Sequence, residues 1–333
     1  MRSASRYPLV LGLVVLLLCA VACGSAPSKP RDLGAAEPAR APTLTSEPDG
    51  RVVKVSARPQ GIAYDRVTNT LAVAVHDPYR ILLLNPTDLS LRTSIPLPGK
   101  ARHLTDAKAG GPILVPVETA DQLIEIALPG GAIRTTRVGH HPHSAVAEPN
   151  GDILVGNEFS HSISLVRDGA VVTTVPGVRQ PGGLVVDRNL VGAVDVHDFA
   201  VETFDRETLK RLRRVKVGAG PTHGVLTSGH RMVVTDTRGG KLFVIGLSPL
   251  KVLGSYPLPG SPYGIIDDPE TGDVWVTLTG RNKLIGFSLA GNTPRKFAEY
   301  DTVRQPDTVA VSPGGHTLWV TGTKDGVVQR ISR

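Results

Sequence analysis

Two short strands joined by a tight turn can be read in one segment, Pro262-Tyr263-Gly264-Ile265-Ile266-Asp267-Asp268-Pro269-Glu270-Thr271-Gly272-Asp273-Val274-Trp275-Val276-Thr277-Leu278. Residues 264–267 and 273–278 are rich in apolar and β-branched residues, and the five residues between them favour a turn. Two further strands can be read over residues 283–289 and 295–301. This unit therefore predicts four short antiparallel strands and no helix.

The same unit recurs along the chain. Its opening, a Pro followed by one variable residue, a small residue and apolar residues, appears at Pro59, Pro142, Pro181 and Pro262, with weaker copies between them. The small-residue column falls at residues 61, 103, 144, 183, 224, 264 and 308, so the spacing stays between 39 and 44. A period in this range over a whole domain is typical of propellers. We predict an all-β, seven-bladed β-propeller of four-stranded antiparallel blades over residues 50–333.

The last unit has only three strands, and the strand it lacks is found at the start of the domain. Residues 51–57, Arg-Val-Val-Lys-Val-Ser-Ala, precede the first unit and belong to no unit of their own. We expect them to pair with residues 327–331 and complete the last blade. Such closure removes an open sheet edge.

The second strands carry a recurring motif. It is present in Leu71-Ala72-Val73-Ala74-Val75, Ile153-Leu154-Val155-Gly156-Asn157, Met232-Val233-Val234-Thr235-Asp236, Trp275-Val276-Thr277 and Trp319-Val320-Thr321. Together with the Pro-x-Gly openings and the Ser312-Pro313-Gly314-Gly315 turn, it resembles the YVTN-repeat family of bacterial surface propellers over about residues 50–333. The resemblance implies a non-catalytic surface protein whose propeller binds a ligand or a protein partner.

The N-terminus predicts export and lipid anchoring. Arg2 and Arg6 precede an apolar run with the length of a signal-peptide core, and the run ends in Ala20-Val21-Ala22-Cys23-Gly24-Ser25, which resembles a bacterial lipobox. We predict a signal peptide over residues 1–22 and an acylated Cys23 that anchors the protein on the extracytoplasmic face of the cell membrane. The alternatives are cleavage before Cys19, which lacks the preceding small residue, and an uncleaved anchor, although residues 9–23 are short for a span.

The segment after Cys23 predicts a tether. Residues 23–49 contain five Pro with Ala, Ser and Glu and no apolar period, a composition typical of an extended linker. Both Cys of the chain lie at positions 19 and 23, so the propeller has no disulfide and no thiol nucleophile.

Composition excludes several function classes. Removal of Arg2 and Arg6 lowers the basic residues from 37 to 35 against 30 acidic ones, a net charge of +5, and the chain has 14 aromatic residues. Neither value indicates a nucleic-acid partner. Motifs of phosphate-binding loops, His-Glu-x-x-His metalloproteases and Gly-x-Ser-x-Gly hydrolases do not occur. Nothing in the sequence indicates oligomerisation, so we expect a monomer.

Polar residues concentrate on one predicted face. The top face is formed by loops that enter the first strand of each blade and loops that join its second and third strands; the bottom face carries the loops between first and second strands. Eight of the ten His fall in or beside top loops. Residues entering the first strands should surround the channel mouth, and we predict that a small polar ligand or an envelope protein binds there, at Gln60, Arg102, His143, His223, Tyr263 and Asp307.

The histidines raise a second hypothesis. His103, His143, His197 and His223 are candidate ligands of a divalent metal, since neutral imidazoles held by nearby carboxylates are common metal ligands. A metal site would favour a metal-dependent, lyase-like enzyme, because propellers similar to streptogramin lyase place His and Glu around a metal at the channel mouth. The simpler interpretation is that these histidines are hydrated rim residues and that the nearby Asp residues stabilise turns.

Overall fold

The fold is a ring of seven four-stranded antiparallel sheets. The computed structural model describes Met1, residues 33–289 and residues 291–333. Residues Gly34–Arg333 form one compact unit, which contains every sheet of the described residues. Residues 2–32 lie outside the described residues. They comprise the predicted signal peptide (1–22) except Met1, the predicted lipid anchor Cys23 and the predicted tether up to residue 32. In the described parts of the chain, no helix has the length and apolar character needed to cross a membrane.

The blades follow the chain in order, and the first strand of each blade faces the channel. Blade 1 contains β2 (Ile62–Asp65), β3 (Thr70–Val75), β4 (Arg80–Leu84) and β5 (Leu91–Pro96). Blade 2 contains β6 (Thr105–Asp106), β7 (Ile113–Val117), β8 (Gln122–Ile126) and β9 (Ile133–Arg137). Blade 3 contains β10 (Pro142–Ala147), β11 (Ile153–Asn157), β12 (Ser162–Arg167) and β13 (Ala170–Pro176). Blade 4 contains β14 (Pro181–Asp187), β15 (Leu190–Asp195), β16 (Ala200–Asp205) and β17 (Arg211–Lys216).

The remaining three blades have the same order. Blade 5 contains β18 (Pro221–Thr227), β19 (Arg231–Asp236), β20 (Lys241–Leu247) and β21 (Leu250–Pro257). Blade 6 contains β22 (Pro262–Asp267), β23 (Val274–Leu278), β24 (Lys283–Ser288) and β25 (Arg295–Asp301). Blade 7 contains β26 (Pro306–Val311), β27 (Thr317–Gly322) and β28 (Val327–Ser332), with β1 (Arg51–Lys54) as its outer strand. Two single 3₁₀ turns, Glu118–Ala120 and Pro313–Gly315, are the helical elements of the described residues.

The predicted closure of the ring is confirmed. Strand β1 pairs antiparallel with β28, from Arg51 opposite Arg330 to Lys54 opposite Val327. The fully buried Gln329 strengthens this junction, because its amide nitrogen donates to the carbonyl oxygens of Asp49 (2.7 Å) and Asp301 (2.9 Å). The first and last strands of the propeller are thereby joined within one blade, which closes the ring with β1 as the outer strand.

Close contact between neighbouring first strands explains the small-residue column. A Cβ atom at Gly264 would lie 2.2 Å from the backbone oxygen of Asp307, and one at Gly61 would lie 2.8 Å from the backbone oxygen of Arg102. Both distances are shorter than non-bonded atoms allow, so a side chain at either position would push two blades apart. The periodic small residue therefore reflects blade-to-blade packing around the channel.

The threonine of the second-strand motif links consecutive blades. The hydroxyl of Thr235 donates to the backbone oxygen of Tyr263 (3.2 Å), and the hydroxyl of Thr277 donates to that of Asp307 (3.1 Å). The Thr321 hydroxyl donates to the backbone oxygen of Gln60 (3.0 Å), which joins blade 7 to blade 1. These buried bonds pair carbonyl groups that would otherwise be unsatisfied at the inner ends of the blades.

The segment before the first strand packs against the propeller. Residues 34–42, which we call the N-terminal strap, cross the top face. The strap is held by Gln305, whose side chain accepts from the Ala41 N–H (2.8 Å) and donates to the Ala39 oxygen (2.9 Å). The Asn282 amide donates to the Pro42 oxygen (3.1 Å). Ala36 and Ala41 of the strap are buried, so this part of the predicted tether (23–49) packs on the propeller.

Candidate functional site

The central channel contains a cavity of about 610 Å³. His103 and His223 line its inner end, near the top face. At the other end the cavity is lined by Arg66, Lys108 and Pro269, which are exposed residues of bottom-face loops. The channel is therefore open towards the bottom face.

Three histidines converge at the inner end. His103, His143 and His223 each place one ring nitrogen within 4.8 Å of the others, the only such group among the residues that the structure describes. The Nε2 atoms of His103 and His223 are 3.2 Å apart. The ring of His103 lies 4.4 Å, between centroids, from each of the other two rings. We call these three residues the histidine cluster.

Irregularities at the start of the first strands direct these side chains inward. In blade 3 the pairing shifts between Pro142 and Ser144, which leaves His143 as the extra residue. In blade 5 it shifts between Pro221 and Gly224, around His223. A β-bulge reorients the side chain of its extra residue. His103 needs no bulge, because it lies in the loop just before the short strand β6.

Hydrogen bonds define which nitrogen of each ring faces the cluster. The Nδ1 of His223 lies 3.2 Å from the backbone oxygen of Tyr263, which only accepts, so Nδ1 carries the hydrogen and Nε2 holds a lone pair. The Nδ1 of His143 lies 2.9 Å from the Glu118 carboxylate and donates to it. Its Nε2 is thus the atom that can ligate. Partners of this kind fix ring orientation in metal sites.

Two buried carboxylates supply negative charge beside the cluster. Glu118 is fully buried, and its second oxygen lies 2.9 Å from Lys100 Nζ. Glu158 contacts His141 Nδ1 at 3.1 Å and lies 3.9 Å from His143 Nδ1. Burial alone would raise the pKa of Glu118, but the hydrogen bond from His143 and the charges of His143 and Lys100 outweigh it and lower the pKa to about 2. Glu118 is therefore ionised at any physiological pH.

The imidazoles differ in protonation. Burial, with the charge of His143 as a second cause, lowers the pKa of His223 to about 3 and that of His103 well below its usual value. Burial would also lower the pKa of His143, but the carboxylates of Glu158 and Glu118 outweigh it and raise the pKa. A positive charge in the cluster is therefore favoured on His143, whose pKa is raised, rather than on His103 or His223, whose pKa values are lowered. A cation bound among them could replace this proton.

The predicted top-face ring is present but closed. Tyr263 and Asp307 are 3% and 2% exposed, and Arg102 beside them forms an ion pair with Glu37 of the strap at 3.4 Å. Burial raises the pKa of Asp307 to about 6 even though Arg102 acts in the opposite direction. The strap and these buried side chains therefore cover the top-face end of the channel, where the sequence predicted the ligand site.

Two predicted residues lie apart from the cluster. The ring of His197 is held by Asp198 at 3.0 Å, and Asp198 also contacts Arg179 at 3.6 Å. The backbone oxygen of Gln60 accepts the hydrogen bond from Thr321 that joins blade 7 to blade 1. The side-chain oxygen of Gln60 is buried and has no hydrogen-bond partner within residues 33–289 and 291–333. The structure thus brings together His103, His143 and His223 and leaves His197 outside.

Sequence reasoning missed the opposite end of the cavity. There Asp106 and Asp267 line the wall near Arg66 and Lys108. Burial, helped by the charge of Asp65, raises the pKa of Asp106 to about 7, and burial raises the pKa of Asp267 to about 6. These residues are the last residues of the first strands in blades 2 and 6, at the same position of the repeat, so the blade period could have placed them together.

Comparisons with known proteins support the fold. No protein-family model and no curated protein matches the sequence. Among solved structures, virginiamycin B lyase from Staphylococcus aureus is 17% identical with a TM-score of 0.71, over 86% of this chain and 100% of that chain. A streptogramin B lyase structure is 15% identical with a TM-score of 0.73, over 86% and 97% of the two chains. A chain of Kuenenia stuttgartiensis hydrazine synthase is 14% identical with a TM-score of 0.73, over 84% and 97%. At such identities these likenesses show a shared seven-bladed β-propeller fold, with virginiamycin B lyase among its structural neighbours.

Proposed function

We propose that this protein is a metal-binding propeller in which His103, His143 and His223 hold a divalent transition metal, with Zn²⁺ the best match. The ion would present its open coordination positions to a small molecule in the channel. Three protein ligands and an open position are typical of catalytic zinc sites. Borderline-soft ions such as Zn²⁺ accept imidazole nitrogen readily.

One observation carries the proposal. The Nδ1 atoms of His143 and His223 are each held by an acceptor, Glu118 and the Tyr263 carbonyl, which leaves their Nε2 atoms for a ligand. One ring nitrogen of each of these residues lies within 4.8 Å of one on His103. A cluster of hydrated rim residues would have no need for such buried partners. The ionised Glu118 also offsets part of the charge of a divalent cation.

The ligand would enter from the bottom face. The strap and the buried side chains of Tyr263 and Asp307 occupy the top mouth, whereas the cavity extends from the cluster to exposed bottom loops. This proposal places the ligand inside the channel, below the residues that the sequence predicted as its top-face site.

The reaction class is a further part of the proposal. A bound Zn²⁺ would act as a Lewis acid on a carbonyl oxygen of the ligand. The predicted lyase-like activity needs such an ion, and virginiamycin B lyase is related to this chain through the fold only. The second candidate is a non-catalytic binder without metal. The hydrogen bond between His103 and His223 favours it, because this bond satisfies both rings without an ion.

We also propose that Cys23 anchors the propeller to the extracytoplasmic face of the membrane through an acyl chain. The lipobox resemblance and the preceding apolar run support this location.

Metal analysis of the purified protein tests the metal site. We expect about one equivalent of tightly bound zinc after loading and dialysis, and less than about a tenth in the His143→Ala/His223→Ala variant, because a site left with one imidazole loses most of its affinity. His197→Ala is the matched control, since this histidine is also near the top face but outside the cluster, and it should retain the metal.

Near-ultraviolet circular dichroism shows whether the double variant is folded. If the double variant is unfolded, the single variant His143→Gln replaces it in the metal analysis, since Gln has a volume similar to that of His and a polar end. The metal site is refuted if the wild-type protein binds less than about a tenth of an equivalent of zinc, or if the double variant still binds one equivalent. The non-catalytic binder then remains as the proposed function.

A further inference from the structure

The middle of the channel is lined by apolar side chains. Partly exposed aliphatic residues from five consecutive blades contribute to its wall, among them Leu104, Val146, Val186, Leu226, Ile265 and Ile266. We call these six residues the apolar sleeve. Most apolar residues of the first strands are buried between blades, so the sleeve is the part of the apolar surface that remains open to the cavity.

Polarity changes along the axis of the channel. The histidine cluster lies at the inner end, the sleeve in the middle, and the charged side chains of Arg66, Lys108, Asp106 and Asp267 at the outer end. A ligand that fills this channel must therefore have a polar head, an apolar body and a hydrated outer end.

The size of the cavity fits an organic molecule. Its volume of about 610 Å³ lies in the usual range of small-molecule sites, roughly 300–1,000 Å³. A hydrated inorganic anion would leave most of the sleeve exposed to water, and a sugar would place hydroxyl groups against aliphatic side chains. Neither would gain from the apolar wall.

We propose that the ligand of this channel is an amphiphile with one oxygen-donor head, such as a carboxylate, and an aliphatic body. The head binds the metal at the histidine cluster, and the body lies along the apolar sleeve towards the bottom face. The assigned position of the head rests on the proposed metal site, whereas the position of the body along the apolar sleeve does not. Chain length should then control affinity, because each buried CH₂ group tightens the dissociation constant by about fourfold.

Calorimetric titration of the zinc-loaded protein tests the proposal. The probes are acetohydroxamic acid and octanohydroxamic acid, which share a metal-binding head and differ by six CH₂ groups. We expect the octanoyl compound to bind at least about 100-fold more tightly, below the full effect of six buried groups, and with a more negative heat-capacity change. Equal affinities would overturn the proposal and leave the metal site intact.

Variants of the apolar sleeve test whether the aliphatic body of the ligand binds there. Leu226→Lys should reduce the octanoyl preference at least tenfold and change acetohydroxamic acid binding less than about threefold, because only the body contacts the sleeve. Leu212→Lys is the control, since Leu212 is an exposed apolar residue on the outer strand β17. If Leu226→Lys does not fold, Val186→Thr replaces it. If both sleeve variants keep the preference for octanohydroxamic acid over acetohydroxamic acid, the assigned position of the body is wrong.

The metal-free protein separates the two proposals. If metal analysis fails to find a site, octanoic and acetic acids are titrated against the protein as purified. A chain-length preference that Leu226→Lys removes would support the sleeve and overturn the assignment of the head to a metal. The same affinity for both acids would overturn the amphiphile entirely.

Discussion

Glu118→Gln is the substitution from which the most can be learned. Glu118 is fully buried between His143 and Lys100, with oxygen-to-nitrogen distances of 2.9 Å to each. The pKa of its carboxyl is lowered from 4.5 to about 2. One pKa unit corresponds to 1.36 kcal/mol, so the folded state favours the ionised form by about 3 kcal/mol relative to the unfolded chain. A neutral Gln keeps the shape and loses this contribution.

The pH dependence has a defined sign. Because the pKa is lower in the folded state, the stabilisation is complete above the unfolded value of 4.5 and disappears as the pH falls towards about 2. We expect Glu118→Gln to lower the free energy of unfolding by about 3 kcal/mol at pH 7 and by about 1.4 kcal/mol at pH 3. Zinc affinity should fall by about 10- to 100-fold, as for other residues that orient a metal-binding histidine.

Urea unfolding followed by tryptophan fluorescence measures the effect, since Trp275 and Trp319 are both buried. Glu299→Gln is the matched control. Glu299 is paired with Lys283 and Lys296 but is partly exposed, so its loss should cost less than about 1 kcal/mol. A Glu118→Gln variant as stable as wild type at pH 7, or equally destabilised at pH 7 and pH 3, would refute the electrostatic role assigned to this carboxylate.

Three further predictions concern other parts of the molecule. Asp106→Asn should stabilise the protein by about 1 kcal/mol at pH 8 and have little effect near pH 4. Burial raises the pKa of Asp106 from 3.8 to about 7, so this carboxyl group destabilises the folded state increasingly as the pH rises between these two values; urea unfolding at pH 4 and pH 8 checks the sign. Gln305→Ala should release the strap, since it removes the side chain that bonds to both Ala39 and Ala41, and limited proteolysis should cut the strap at least tenfold faster while the melting temperature changes by less than about 3 °C. Cys23→Ala should transfer the protein from the detergent-soluble membrane fraction to the aqueous one in bacterial cells, and an unchanged distribution would contradict the predicted anchor.

The number and order of the blades could be predicted because they depend on local pattern. The sixth unit illustrates this: strands predicted over residues 273–278 and 283–289 are observed as Val274–Leu278 and Lys283–Ser288. Apolar patterning and turn residues act over a few residues, and a period of about 41 repeats that signal seven times. The pairing of Arg51–Lys54 with the last blade followed from counting strands.

The cluster could be predicted in part. His103, His143 and His223 enter the first strands of their blades, so the ring topology alone places them around one channel. His197 follows a second strand, and its interaction with Asp198 holds it elsewhere. The distinction depends on side-chain hydrogen bonds and on bulges in the first strands, neither of which leaves a clear signal in residue order.

By itself, the sequence determined the closed seven-bladed ring and the approach of several histidines to its axis, because strand propensity, turn chemistry and period are properties of neighbouring residues. Only the tertiary structure decided which end of the channel is open and which side chains face it. The strap closes the top mouth through contacts between residues more than 200 positions apart, such as Ala41 with Gln305, and the apolar sleeve arises where five blades leave aliphatic side chains uncovered. Contacts of this range depend on how the blades pack in three dimensions, and no local pattern encodes them.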